Sequence, residues 1–410
     1  MLILLFAFVP FIQFEGAQAV YFDLQQQQIH LFSLVLFPQD LVIVCLIFIL
    51  AAFLLFYVTQ FYGRVWCGFT CPQTIWMLMF NWIERRIEGT HNQSKSLNSM
   101  PLSLSKFTKK ALKHFLWGFI SLLTALIFIS YFVEVEELYV SFFTFNASDT
   151  VVYWVLFFAV CTYINAGWIK EKMCQHMCPY SRIQSAMFDQ STKMVSYDTT
   201  RGENRGSRKR SAVKPSGMGD CVDCDLCVQV CPVGIDIRNG LQYECINCGL
   251  CVDACDMTME KFDYKKGLIS FINEQPPKDN WKRHLGYGSV VLVTLLTMLA
   301  WATTWQSFDV NIIRDRQELF SINQDGNTEN NFLFKVRNKS SHVRQYQVQV
   351  NELAHAKITG SATVKVLPGE LTIHSITVVA EKPLLNVRSD VSFNITDLYN
   401  NESMRKNTSF

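Results

Sequence analysis

The sequence predicts a multi-domain membrane protein: an α-helical transmembrane bundle of about five spans, a cysteine-rich α+β domain inserted in it, and a C-terminal all-β sandwich. Three observations carry this reading. Half of the 410 residues are hydrophobic, 18% are charged, and 32 Phe and 9 Trp make the chain too apolar and aromatic for an ordinary soluble protein. The 14 cysteines all lie at or before Cys255, clustered at short fixed spacings rather than spread as a disulfide framework. Beyond Trp305, short runs alternate apolar and polar residues between Gly, Asn and Pro clusters. A net charge of +2, with no basic face interleaved with aromatics, offers nothing for a nucleic-acid partner.

Spans of about 20 apolar residues are expected at Leu41–Gln60, Phe115–Val133, Val151–Ile169 and Leu285–Trp305. A fifth, Met1–Phe14, is shorter and carries Pro10. AQA at 17–19 resembles a signal-peptide cleavage site, but the basic leader such a peptide needs is absent, which favours a short or truncated first span. Basic residues sort the loops. Arg85, Arg86, Lys95, Lys106, Lys109, Lys110 and Lys113 crowd the 61–114 segment, and RGENRGSRKR opens the stretch after Ile169 at 201–210. Glu134, Glu136, Glu137 and Asp149 stand alone in the loop between Val133 and Val151. The positive-inside rule then puts 61–114 and 170–284 in the cytoplasm and the acidic loop and C-terminal region outside.

The strongest chemistry lies in 221–255. CVDCDLCVQVCP supplies Cys221, Cys224, Cys227 and Cys231, and CINCGLCVDAC repeats the C-x2-C-x2-C-x3-C spacing with Cys245, Cys248, Cys251 and Cys255; Asp256 stands where Pro is usual. Thiolates are the soft ligands that iron–sulfur clusters take, and in two-cluster ferredoxins the fourth cysteine of each run crosses to the other cluster. The expected sets for two 4Fe–4S clusters are therefore Cys221, Cys224, Cys227 and Cys255, and Cys245, Cys248, Cys251 and Cys231. A pair of zinc sites would use four cysteines as two CxxC pairs, not eight in a doubled run. Residues 181–220, with five Gly and Pro among basic residues, read as a flexible linker.

Two further cysteine pairs follow membrane spans. YGRVWCGFTCPQTIW gives Cys67-x3-Cys71-Pro72, and IKEKMCQHMCPYSRI gives Cys174-x3-Cys178-Pro179. Proline disfavours helix at the cysteine before it and suits the first turn of a following helix, so each pair sits at a bend. After the first bend, Ile75, Met79, Trp82, Ile83 and Ile87 recur at helical spacing with Arg85 and Arg86 opposite, the pattern of a helix along the inner membrane surface. Cys67, Cys71, Cys174 and Cys178 are candidate metal and catalytic ligands, with Met173, Met177 and His176 beside them; such sulfur donors select cuprous ion or an iron–sulfur centre. The bland reading is that they fill space. Cys45 and Cys161, each alone inside a span, are expected to pack.

From about residue 17 onward the chain resembles the cytochrome c oxidase accessory proteins of the CcoG/FixG type, RdxA-like membrane-bound polyferredoxins. GAQAVYFDL, FPQDL, GRVWCGFTCPQTIWMLMFNWIER, MCQHMCPYSRIQSAMFD, the paired ferredoxin cysteines and the cysteine-free tail carry the resemblance. It implies a multi-pass protein of the bacterial cell inner membrane with two 4Fe–4S clusters. It further implies reduction of Cu(II) to Cu(I) for the copper centre of a cbb3-type cytochrome c oxidase, with a copper chaperone, a copper-exporting ATPase and the oxidase subunits as partners.

In the tail, FLFKVRN, YQVQV, ATVKVL, LTIHSITVVA and VSFNI read as strands of a small sandwich, which the resemblance makes immunoglobulin-like. His342, His355 and His374 are expected at the surface or within strands. The expected domains are 1–170 (transmembrane helices, first bend and cytoplasmic loop), 171–220 (second bend and linker), 221–280 (two-cluster ferredoxin-like), 281–305 (last span) and 306–410 (periplasmic immunoglobulin-like). Two alternatives to cupric reduction stay open: a quinol-linked electron relay to a partner reductase, and a non-enzymatic assembly scaffold whose clusters are structural.

Overall fold

Helices in the computed structural model form where the apolar stretches demand them. It describes residues 2–14, 16–32, 34–187, 189, 191–210, 214–273, 281–314, 321–323, 326–340, 342–351, 356–380 and 390–409, so the expectation for His355 lies outside the described residues. Four helices among these are long and apolar enough to cross a membrane: Pro38–Tyr62, Leu104–Ile129, Asp149–Ile169 and Trp281–Thr304. The second begins at Leu104 rather than Phe115. Ser103 caps it, accepting the Lys106 N–H at 3.3 Å, and the turns carrying Lys106, Lys109, Lys110 and Lys113 prolong the helix beyond its apolar part. At the chain start the expected span Met1–Phe14 is helical only over Leu2–Phe11. Helix α1 (Leu2–Phe8) passes into a 3-10 turn holding Pro10, and β1 (Gln13–Phe14) then pairs with β2 (Ala17–Gln18).

The chain divides into two compact units. The first comprises residues up to Phe8, Cys45–Ser130 and Val135–Thr297. It holds most of α2 (Leu41–Tyr62), then α3 (Pro72–Glu88), α4 (His91–Ser99), α5 (Leu104–Ile129), α6 (Val135–Phe143) and α7 (Asp149–Ile164). Helix α3 buries Phe80 and Ile83 against Trp117 of α5 and Ala166 of the wide helical turn that continues α7. On the neighbouring face, Glu88 (side chain 0% exposed) takes Lys113 at 2.6 Å and Lys110 at 2.7 Å, while Glu84 takes Lys113 at 3.1 Å and Lys170 at 2.8 Å. A buried carboxylate persists only with such partners.

After α8 (Pro179–Ser185) comes the cysteine-rich domain. Part of the expected linker forms regular structure: Met194–Tyr197 (β6) pairs antiparallel with Ile269–Ile272 (β7) in the register Met194↔Ile272, and α9 (Thr199–Gly202) follows. Strand β6 forms because Met194, Val195 and Tyr197 are buried, and composition alone hid this behind the Gly and Arg residues that follow. Two short helices, α10 (Leu226–Gln229) and α11 (Leu250–Lys261), complete the domain over a core of Val195, Tyr197, Ile237, Met259, Leu268 and Ile269. Helix α12 (Trp281–Thr304) leaves it.

The second unit comprises Val9–Val44, Tyr131–Glu134 and the chain from Met298. Strand β3 (Val20–Asp23), β4 (Gln28–Leu31) and β5 (Leu34–Leu36) make a small antiparallel sheet, and the Phe22 N–H donates to the Tyr131 carbonyl at 2.8 Å. The tail is the expected two-sheet sandwich. Strands β8 (Phe308–Arg314), β9 (Ser321–Ile322), β10 (Thr328–Asn338), β12 (Ala356–Thr359) and β14 (Leu371–Ala380) form one sheet; β11 (Arg344–Asn351), β13 (Thr363–Val366), β15 (Asp390–Asp397) and β16 (Ser403–Ser409) form the other. Along β10 the alternation buries Phe332, Phe334 and Val336 on one face. Phe334 meets Phe393 of the facing sheet edge-on at 4.9 Å. His374 contacts the Ser361 carbonyl at 2.7 Å within the sandwich, and His342 sits beside the Asn338 side-chain amide, which donates to its carbonyl at 2.7 Å.

Candidate metal centres

Four residues with left-handed backbone shape the ferredoxin-type loops. In the first run Asp223 (φ 52°) and Asp225 (φ 56°) take it; in the second, Asn247 (φ 57°) and Gly249 (φ 77°) take it at the same two positions. Only Gly, Asn and Asp adopt this conformation at little cost, so the loops curl and turn successive thiols inward. Asp225 and Gly249 then start α10 and α11, each of which carries or leads into two cysteines four residues apart. The result is two separate hollows. One is lined by Cys221, Cys224, Cys227 and Cys255, with Arg238 on its wall. The other is lined by Cys231, Cys245, Cys248 and Cys251, and Cys227 borders it as well.

Soft sulfur donors in two sets of four around separate hollows fit a cluster that takes one thiolate per iron. Among the described residues no three His, Cys, Asp or Glu side chains converge closely enough to hold a single ion, which a mononuclear zinc site would require. Burial pushes the thiols of Cys227 and Cys245 up to about 11 and those of Cys251 and Cys255 to about 12. Deprotonation there becomes favourable only with a compensating cation. Beside the first hollow, Arg238 binds Asp223, Asp225 and Asp236, each at 2.7 Å.

The two CxxxCP bends are structural twins. Cys67 lies in the wide helical turn Trp66–Thr70 and Cys174 in the equivalent turn Met173–Met177. Cys71 and Cys178 leave these turns in extended conformation, and Pro72 and Pro179 open α3 and α8. Each turn closes by the same i→i−5 bond, Cys71 N–H to Trp66 O at 2.8 Å and Cys178 N–H to Met173 O at 2.9 Å. Seven residues after the first cysteine of each pair, a hydroxyl donates to that cysteine's carbonyl: Thr74 to Cys67 at 2.6 Å and Ser181 to Cys174 at 2.5 Å.

The twin bends place their thiols in one neighbourhood, although, among the described residues, no three of them converge closely enough to hold a single ion. Cys67 and Cys174 each lie within electrostatic reach of both Cys71 and Cys178. Burial raises Cys67 to about 12 and Cys174 to about 11, and the Arg64 guanidinium opposes the rise at both. Arg64 is 2% exposed and donates to the Ser181 carbonyl at 2.8 Å. The Cys67 thiol donates to Gln184 Oε1 at 3.2 Å, and Gln184 in turn donates to the Thr59 and Tyr180 hydroxyls at 3.1 Å. Met173 is half-buried, whereas His176 and Met177 are exposed, Met177 by 62%. Cys45 and Cys161, expected to pack, are exposed instead. Helices α2 and α7 are apolar all round, so neither residue needs the interior to escape water.

Sequence patterns missed the contact between bend and ferredoxin-type domain. Cys67 packs in one cluster with Cys231, Cys245, Cys248, Val233, Ile235, Ile246 and Tyr180. A Cβ on Gly68 would meet Ile246 O at 2.9 Å and Cys248 Cα at 3.0 Å, so glycine permits the approach. Asn247, 1% exposed, accepts the Val195 N–H at 2.8 Å and donates to the Tyr62 carbonyl at 3.3 Å, fastening the loop to the end of α2. The polar character of Arg64, Gln184 and Asn247 carried no signal, since each also reads as ordinary surface.

Residues 169–274 match the 4Fe-4S dicluster domain family, and 298–410 match the IG-like fold at the C-terminus of FixG. The chain is 33% identical over 386 residues to nitrogen fixation protein FixG of Rhizobium meliloti, covering 84% of this chain and 74% of that one. It is 35% identical over 367 residues to protein RdxA of Cereibacter sphaeroides (85% and 77% covered). Protein RdxB of the same organism is 32% identical over 414 residues (96% and 87%). A crystal structure of a FixG-related protein from Vibrio parahaemolyticus is 27% identical, covering 26% of this chain and 96% of that one with a TM-score of 0.24.

Proposed function

The chain belongs to the family of FixG, RdxA and RdxB, iron–sulfur redox proteins of the membrane, and on that premise we propose that it reduces Cu(II) to Cu(I) at its CxxxCP bends. One observation carries the reading: Cys67 shares a single apolar cluster with Cys231, Cys245 and Cys248. A 4Fe–4S cluster at each ferredoxin-type hollow would supply one-electron transfer. On the wall of the second hollow Val233, Ile235, Cys245 and Ile246 are buried, and Cys67 belongs to the same apolar cluster.

Cys67, Cys71, Cys174 and Cys178 receive cupric ion as substrate, and Met173 stands next to Cys174 in sequence as a candidate thioether ligand. Each Cu(II) takes one electron and leaves as Cu(I). Thiolate ligands bind the product better than the substrate, which draws the reduction forward. Arg64 offsets the negative charge that gathers when these thiols ionise. The ferredoxin-type domain is cytoplasmic and the sandwich periplasmic in this reading. The grouping of the start of α2, residues 131–134 and the chain after Met298 in one unit, apart from both bends, supports it. The cuprous product serves the copper centre of a cbb3-type oxidase, with a copper chaperone and a copper-exporting ATPase as the partners that handle it.

Anaerobic purification with iron and copper counts and a Cu(II)-reduction assay tests this. Changing Cys174 and Cys178 together to Ser is expected to abolish copper binding and cupric reduction while iron stays at the wild-type level. Full copper binding and activity in that variant would show that the bend cysteines only pack.

A further inference from the structure

Behind the second hollow, on the wall formed by Cys231, lies a cavity of about 570 Å³ that the copper reading leaves unused. Helix α3 contributes Leu78, Trp82 and Arg85; the ferredoxin-type domain contributes Cys231, Pro232 and Leu250. Lys170 stands at its edge, its amine held by Asn81 Oδ1 at 2.9 Å and Glu84 Oε2 at 2.8 Å, on a backbone at φ 46° that a lysine rarely adopts. Arg85 has no carboxylate partner among the described residues. Cys231 therefore borders two spaces: the hollow it shares with Cys245, Cys248 and Cys251, and this cavity.

We propose that this cavity is the electron-entry port, binding a planar aromatic two-electron carrier in its reduced form, a dihydroflavin or hydroquinone. The inference rests on the electron-transfer reading of the second hollow. The volume suits a cofactor-sized ligand, since such sites run to roughly 300–1,000 Å³. Trp82 is 59% exposed, with the Arg86 guanidinium 5.4 Å from its ring centre, and its ring together with Leu78, Pro232 and Leu250 supplies apolar contacts. Arg85 supplies a polar contact that orients such a ring, while Lys170 is held by Asn81 and Glu84, and Glu171, His91 and Gln229 add further polar groups to the wall.

A ring seated here touches a residue of the electron-accepting site on one side, while Cys67 touches the same site from another. The reduced ring gives up two electrons and two protons and becomes the oxidised flavin or quinone. The electrons pass singly to two one-electron acceptors, and two cupric ions later take them. The protons pass to water at the cavity mouth and to the exposed imidazole of His91 on its wall.

The test uses the full-length protein, oxidised and anaerobic in nanodiscs, mixed with reduced flavin mononucleotide in one arm and a short-chain ubiquinol in the other. One arm is expected to bleach the iron–sulfur absorbance at a rate that saturates with donor. Leu78→Trp, which narrows the cavity, and Trp82→Ala should each lower that rate at least tenfold, while dithionite still reduces both variants fully and iron is unchanged. Independently, the oxidised form of the effective donor should quench tryptophan fluorescence saturably in the wild type, and Trp82→Phe should remove that quench. Rates linear in both donors with no variant effect, or no quench assignable to Trp82, overturn the port. If Leu78→Trp loses iron, the Trp82→Phe comparison decides. Dithionite-reduced protein that fails to reduce Cu(II) while flavin or quinol still binds would sink the copper reading and leave the port standing.

Discussion

At the scale of single residues, Gly68 and Glu88 do the most with the least chemical signature. Gly68 lets the first bend approach the backbone of Ile246 and Cys248; a methyl group there lands 2.9 Å from a carbonyl oxygen that cannot rotate away. Gly68→Ala is expected to push the bend off the second hollow and slow electron passage between dithionite-reduced protein and Cu(II) at least tenfold. The signal of the Cys221, Cys224, Cys227 and Cys255 set should be unchanged in paramagnetic resonance. Glu88 is held in the opposite manner, by attraction. Its burial alone would raise its pKa, but Lys110, Lys113 and Ser94 hold it down to about 2. A carboxylate whose folded pKa is depressed contributes stability above its unfolded value of 4.5 and loses it as pH falls toward 2. The packing of α3 on α5 should accordingly weaken between those limits. Glu88→Gln should remove this pH dependence and leave Lys113 (side chain 7% exposed) with Glu84 alone, costing roughly 1.5–3 kcal/mol. Thermal unfolding in detergent across pH 3–7 reads both effects, and an unchanged profile would refute the account.

Whole elements decide which thiols share a hollow. On α11, Cys251 and Cys255 are four residues apart, yet Cys251 lines the hollow of Cys231, Cys245 and Cys248 while Cys255 lines that of Cys221, Cys224 and Cys227. The helix does this because it borders both hollows, with Cys251 on one and Cys255 on the other, and packs on α10. Cys255→Ser should therefore damage the cluster of Cys221, Cys224 and Cys227 and spare the other. Loss of the Cys245, Cys248 and Cys251 signal alone, by paramagnetic resonance, would reverse the crossover. The wide turns at Cys67 and Cys174 belong to the same scale: an i→i−5 closure followed by proline swings each cysteine pair out of the helical ladder, so two distant bends can present thiols to one another.

For the whole molecule, the grouping of Val9–Val44 with the C-terminal sandwich matters most. Asp40, just before the apolar run of α2, binds Lys339 at 2.8 Å, and both are buried. The Arg337 guanidinium lies 4.6 Å from the centre of the Phe37 ring, and Gln28 donates to the Gly369 carbonyl at 3.0 Å. The FPQDL segment thus joins a domain almost three hundred residues away in sequence. If the ferredoxin-type domain faces the cytoplasm and the sandwich faces outward, alkaline phosphatase fused after residue 409 should be active and the same enzyme fused after residue 260 inactive. The reverse pattern would overturn the arrangement, because the Lys and Arg asymmetry that motivates it would then have the wrong sign.

Local rules sufficed for much of this chain. The spans follow from apolar length, the loop curls from Asp223, Asp225, Asn247 and Gly249, and the sandwich from alternation such as that of Phe332, Phe334 and Val336, because each of these depends on neighbours within a few residues. Tertiary structure alone decided the rest. Strand β6 needed the distant β7 to reveal it. Arg64, Gln184 and Asn247 needed burial before their charge or amide groups meant anything, and Gly68 needed the backbone of Cys248 against it. Desolvation strengthens and restricts polar contacts only once other parts of the chain have closed around them, and no short window of sequence contains those parts.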